Sequence, residues 1–287
     1  MRNKLIVTLT LISMAVLLFA AQHVHDVLSA GNGFVAKNIC SGHFISGMPA
    51  QLVMDQALKP ASSALAKTQF HIDPVHKTVD TNFYGIAQRR AVFSRGIGCT
   101  LLTAGEDTLN RQFKPVATKP LDSNIAWPHG SAPVQITSSL AQVLEKAFDE
   151  PDPVLRRNTK AVVVIHKGQL IAEKYADGIE PSTPLIGWSM TKSVTNLLLG
   201  LLVHDGALAL DQPAPVPAWQ RNKEDPRADI TISQLLRMSS GLEFDESYGP
   251  YTDVTRMLSV APSAVSYTHL TLPTMRLRCR SRWSPEH

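Results

Sequence analysis

No internal repeat and no low-complexity segment interrupts this chain, which excludes solenoids and repeat arrays. A one-signed charge is missing as well. Lysines and arginines number 28 against 24 acids, but Arg276, Arg278, Arg280 and Arg282 crowd the last stretch, where Glu286 is the acid. Residues 1–264 hold 24 basic and 23 acidic groups. The basic excess is thus a tail effect and gives no ground for a nucleic-acid partner. Metal-ligand spacing is lacking too. His71 with His76, and His23 with His25, have no cysteine or carboxylate at a recognised interval, so they read as surface histidines, and no metal or cofactor is expected. What is present is ordinary for a globular protein, with 44% hydrophobic and 18% charged residues. A chain of 287 residues suffices for one large domain or two small ones.

The N-terminus, "MRNKLIVTLTLISMAVLLFAAQHVHD", joins a basic start (Arg2, Lys4) to an uncharged apolar run over residues 5–21. That is an export signal, at the short end for a span of ~20 residues. Neither "LFA" nor "LSA" makes a clean small-x-small cleavage site. Two readings stand: a cleaved signal, or an uncleaved anchor with the body outside the cytoplasm, periplasmic or facing the periplasm from the inner membrane. Cysteine is scarce, at three. Cys279 lies in the tail, which leaves Cys40 and Cys99. In an oxidising compartment they are expected to form a disulfide worth ~3–4 kcal/mol in the chain-entropy model. Two buried free thiols are the alternative.

Between residues 31 and 133 the pattern is weak. "AQLVMDQAL" suits a short helix, and "AVFSRGIGCTLLTAG" suits one strand bounded by glycines. "HIDPVHKTVDTNFYG" and "FKPVATKPLDSNIAWPHGSAP" read as proline-rich loops. From Ile136 the signals sharpen. "ITSSLAQVLEKAFDE" places Leu140, Val143, Leu144, Ala147 and Phe148 on one helical face, after serines able to cap it. "KAVVVIHKGQLIAEKYADG" predicts a hairpin turning at Lys167-Gly168. The apolar first strand, residues 161–165, is expected to be buried on both faces, with the second strand outside it.

"LIGWSMTKSVTNLLLGLL", residues 185–202, carries the candidate chemistry. Val194, Leu197, Leu198, Leu201 and Leu202 recur at helical spacing, with Gly206 available to end the helix. Ser189 then falls in the first turn and Lys192 one turn on. Side chains at i and i+3 share a helix face, so amine and hydroxyl can meet. The helix start would also turn free N–H groups toward a developing oxyanion. As a base, lysine faces a pKa of ~10.4, and half neutrality at pH 7 costs about 4–5 kcal/mol. The positive helix end supplies only ~0.3–1 kcal/mol of that. Burial must supply the rest, and Trp188 with the leucine-rich helix are the expected desolvating surfaces. Alone, a serine three residues before a lysine is expected about once by chance in a chain this long. The plain alternative is a capping serine and a solvated lysine.

Context raises its specificity. The hairpin, the "SMTK" helix, "DGALALDQP" and "ITISQLLRMSSGL" follow in one order. In the last, Thr231 and Gln234 form a capping-box pattern and Gly241 is placed to end the helix. Here the chain resembles the penicillin-recognising serine hydrolases: class C β-lactamases, D-Ala-D-Ala carboxypeptidases, esterases of that fold and nylon-oligomer hydrolases. The resemblance covers about residues 160–242 and rests on S-x-x-K, G-x-L-x-L-D-x-P and I-T-x-x-x-L-L-x-x-x-S-G-L. It implies an α/β (α+β) fold of the β-lactamase/DD-peptidase type, an antiparallel sheet flanked by helices. It also implies Ser189 as nucleophile, Lys192 as the group that takes or tunes its proton, and the Ser189 N–H as one oxyanion donor. More faintly, "AKNICSGHFISG" and "GIGCTLL" resemble the extension of an exported branch, which favours the Cys40–Cys99 pairing.

Two pieces expected by that resemblance are not found after Leu242: a Tyr-x-Asn or Ser-x-Asn element, and a Lys-Thr-Gly or His-x-Gly strand. Tyr248 and Tyr251 lack the asparagine and take no role. "VSYTHLTLPT" back-translates to GTC TCT TAT ACA CAT CTG ACG CTG CCG ACG, which resembles a transposase-type sequencing adapter read in frame. "CRSRWSP" resembles its continuation. The expected organisation is therefore a signal or anchor over 1–25, an extension over 26–133, the first part of a serine hydrolase domain over 134–264, and a non-native tail over 265–287. The expected activity is cleavage of a small amide or ester through an acyl-serine, undetectable in the chain as written. A D-Ala-D-Ala peptidase acting on cell wall, or a non-catalytic membrane-tethered envelope binder, are the alternatives.

Overall fold

A computed structural model describes residues 2–102, 120–154, 156–222, 224–247 and 249–260. The proposed tail at 265–287, Tyr248 and most of "FKPVATKP" lie outside the described residues. What is described is a mixed α/β structure of helices and two antiparallel sheets.

Helix α1, Arg2–Cys40, runs unbroken through the expected boundary at residue 25. Residues 6–25 are exposed, apolar as far as Ala21, whereas from Ser29 onward most positions are buried. The helix is long and apolar enough to cross a membrane, as a signal sequence or an anchor would. A π-helical turn, Ser41–Ile45, continues it. Short helices α2, Ala50–Val53, and α3, Lys59–Ala61, follow with a π-helical turn between them, which matches the helix expected at "AQLVMDQAL".

The loop expected over residues 71–85 instead holds most of two strands, β1, Gln69–Asp73, and β2, Thr78–Phe83. Pro74 sits in the turn between them, where its missing N–H costs the ladder nothing. There Asp73 Oδ1 accepts the Val75 and His76 N–H groups at 2.8 and 3.0 Å. "AVFSRGIGCTLL" is likewise two strands rather than one. β3, Ile86–Ser94, and β4, Gly98–Leu101, complete a sheet in the order β1-β2-β3-β4. The buried half of α1 lies across β2 and β3. Val35, Ala36, Ile39, Val53, Met54, Leu58, Val79 and Ala91 form the core around a Cys40–Cys99 disulfide. Buried Asn32 is satisfied by Ala87 O and Thr68 Oγ1, as a buried amide must be.

Downstream, α4, Ser138–Phe148, is capped at Thr137 without a side-chain hydrogen bond, so the expected serine cap does not form. The hairpin of β5, Ala161–His166, and β6, Gln169–Tyr175, turns at Lys167-Gly168 as expected. Both turn residues have positive φ, 50° and 75°, as a type I′ turn requires. The expectation that β5 is buried on both faces fails: Val163 and Ile165 are each 50% exposed. Among the described residues this sheet has two strands, so nothing covers the outer side of β5.

Helix α5, Met190–His204, ends as expected with Gly206 at φ 70°. Helix α6, Ile232–Leu236, carries the Thr231–Gln234 capping box in full. Met238 takes the left-handed position directly after it, at φ 58°, and Gly241 adopts a second one further on, at φ 75°. A last helix, α7, Asp253–Ser259, packs on α1.

Candidate functional site

Ser189 is the N-cap of α5, and Lys192 stands one turn into it. The amine Nζ donates to Ser189 Oγ at 3.0 Å, so the pair expected from the spacing is brought together. Trp188, immediately before, holds φ 44°, a left-handed conformation that a bulky side chain rarely adopts. That kink ends the loop over residues 178–187 and starts the helix with Ser189 at its tip.

The loop is held from the N-terminal extension. Phe34 of α1 stacks on Trp188 with ring centroids 5.8 Å apart. Ser46 Oγ donates to Pro184 O at 2.6 Å. Neither contact was legible in the sequence, because each joins positions more than a hundred residues apart with no shared motif.

Two expectations about the environment are corrected. The first N–H groups of α5 are already used: Met190, Thr191 and Lys192 donate to the carbonyls of Gly187, Trp188 and Ser189 at 3.0–3.1 Å. Among the described residues the Ser189 N–H has no hydrogen-bond partner, which is what an oxyanion donor requires. The desolvating wall also does not form. Ser189, Lys192 and Trp188 are exposed, as is the apolar face of α5 at Val194, Leu197, Leu198, Leu201 and Leu202. The described residues provide no second layer over that face.

The two loops named with "SMTK" fold onto each other beyond the end of α5. Ala214 N–H donates to Ile230 O at 2.8 Å and Ser233 N–H to Leu210 O at 2.9 Å. Ala214, Trp219, Ile230 and Ile232 are buried together there. Arg227 donates to Asp225 through Nε at 2.8 Å. This bond, first among its causes, holds the Asp225 carboxyl below the usual aspartate range.

Tyr251 is occupied elsewhere. Its ring meets His23 edge-on at 5.8 Å and lies 5.2 Å from the Arg256 guanidinium. It takes no part in the hydrogen bonds of Ser189. A separate cavity of about 450 Å³ lies between α2 and the β5–β6 hairpin, lined by Gln56, Glu150, Arg156, Lys160 and Lys174 among others. Burial lowers the Lys160 pKa there, with Glu150 opposing it. Ser189 does not line this cavity. No group of three or more histidine, cysteine or acidic side chains converges among the described residues.

No curated protein and no solved structure matches the chain. One family model does match, over residues 145–267, and its description is Beta-lactamase. That segment contains the Ser189–Lys192 pair, both loops packed beyond α5 and the β5–β6 hairpin. The family is one of serine hydrolases and penicillin-binding-like proteins, and the similarity is confined to this segment. Residues 145–267, less than half of the chain, are thus similar to the Beta-lactamase family.

Proposed function

We propose that Ser189 and Lys192 are the catalytic pair of an exported serine hydrolase cleaving a small amide or ester. The observation that carries the reading is the 3.0 Å bond between Lys192 Nζ and Ser189 Oγ, inside the family-matched segment. Ser189 Oγ attacks the carbonyl carbon as its proton passes to a neutral Lys192 amine, and the carbonyl oxygen becomes an oxyanion. The Ser189 N–H faces that charge. Collapse breaks the C–N or C–O bond, and the proton held by Lys192 goes to the departing amine or alcohol. Water then attacks the acyl-serine ester, releasing the acid and restoring Oγ–H.

The proposed domain is an antiparallel sheet flanked by helices, of which β5, β6, α4 and α5 form the first part, with 265–287 non-native. The exposed faces of β5 and α5 support this. An uncovered strand and helix lack the low-dielectric surroundings a neutral lysine requires, so the chain as written is expected to hydrolyse nothing measurable.

A fluorophosphonate or a fluorescent penicillin tests the assignment on the product of the intact locus, recovered from an independent long read. Labelling lost in Ser189→Ala is the expected outcome. No labelling removes the hydrolase reading and favours a membrane-tethered binder, for which the exposed, uncovered pair is the supporting observation.

A further inference from the structure

We propose that α1 stays with the mature protein as a bilayer anchor and holds the Ser189 turn at the membrane surface, where it acts on amphiphilic amides or esters. The substrate class rests on the hydrolase reading above; the placement does not.

Three observations combine. First, the exposed apolar stretch over residues 6–21 is about 24 Å long at ~1.5 Å per residue, at the short end for a hydrocarbon core of ~30 Å. Arg2 and Lys4 precede it, which sets the body on the far side from the cytoplasm. Second, the helix does not end where the apolar stretch does. Both candidate cut points, after Ala20 and after Ala30, lie inside unbroken α1, and Ser29 and Ala30 are buried. A cut after Ala30 would remove Ser29 and Ala30 from the packed part of the helix. Beyond residue 30 the same helix enters the core and is tied to the sheet by Asn32 and by the Cys40–Cys99 bridge.

Third, that helix touches the catalytic turn. Phe34 stacks on Trp188 at 5.8 Å, and Phe34 stands about 20 Å along the helix from residue 21 at the same rise per residue. Ser189, next to Trp188, is therefore on the order of 20–25 Å above the end of the membrane stretch. One unbroken helix runs from the apolar stretch to the residue that stacks on Trp188. The side chains around Ser189 agree with an amphiphile: Leu185, Ile186 and Met190 are exposed on one hand, and Thr191, Lys192 and Ser193 on the other. Apolar side chains at the water boundary favour a substrate with an acyl or alkyl tail, whose carbonyl lies near the headgroups.

The test reconstitutes the full chain in phosphatidylcholine vesicles with a trace of dansyl-headgroup lipid. Energy transfer from tryptophan to dansyl is expected to fall sharply in Trp188→Phe, a substitution at an exposed ring. Equal transfer in the two proteins overturns the placement. The intact mass of the membrane-extracted protein is expected to include the N-terminal helix, and a mass beginning after Ala20 or Ala30 also overturns it. On the intact-locus product in vesicles, a long-chain fluorophosphonate is expected to label Ser189 at least ~10-fold faster than a water-soluble one, through its raised local concentration. Equal rates overturn the substrate class. No labelling by either probe overturns the hydrolase reading and the substrate class together, while energy transfer still decides the placement.

Discussion

Lys192 Nζ and Ser189 Oγ lie 3.0 Å apart across one turn of α5. A lysine this close can take the hydroxyl proton only as a neutral amine. Lys192→Ala in the intact-locus product is expected to slow fluorophosphonate labelling by ~10²–10⁴-fold, the usual worth of a positioned base. Lys192→Arg is expected to fail equally, because a guanidinium stays protonated. A labelling rate in the arginine variant equal to that of the parent would remove Lys192 from the proton transfer.

Gly33 of α1 lies against the end of α7: a Cβ there would stand 2.5 Å from the Ser259 carbonyl oxygen. Gly33→Ala adds helix propensity of up to ~1 kcal/mol, yet the backbone clash is expected to win, with a net loss of about 1–3 kcal/mol. Gly200 in α5 has nothing within 4 Å of its would-be Cβ. Gly200→Ala is therefore expected to stabilise by up to ~1 kcal/mol. Urea unfolding of the two variants is expected to give opposite signs.

The Cys40–Cys99 bridge joins positions 59 residues apart in sequence. Closing a loop of that length is worth about 4 kcal/mol in the chain-entropy model. Cys40→Ser with Cys99→Ser is expected to lose that amount in denaturant unfolding of the α1–sheet unit. Unchanged stability under reducing conditions would contradict it.

Asp225 supplies a pH signature. Its hydrogen bond from Arg227 lowers its pKa in the folded chain, so the contact stabilises above the unfolded aspartate value of ~3.9. That contribution is lost as pH falls through the lower folded value. Arg227 lies 6.0 Å from the Trp219 ring, so tryptophan emission reports the event. Asp225→Asn is expected to abolish the acid-dependent change and to leave the emission at neutral pH close to that of the parent.

Local chemistry determined a good deal unaided. The hairpin at Lys167-Gly168, the Thr231–Gln234 cap, the end of α5 at Gly206 and the meeting of Ser189 with Lys192 all join residues within one turn of chain. Propensity and periodicity act over that range. β1 and β2 were missed because Pro74 was read as part of a loop, when it occupies only the turn between them. Tertiary structure alone decided that β5 lies half exposed, that α1 runs from the apolar stretch into the core, and that Phe34 meets Trp188. Burial and stacking between distant segments depend on which surfaces meet once the chain has packed, and no window along a sequence contains both partners.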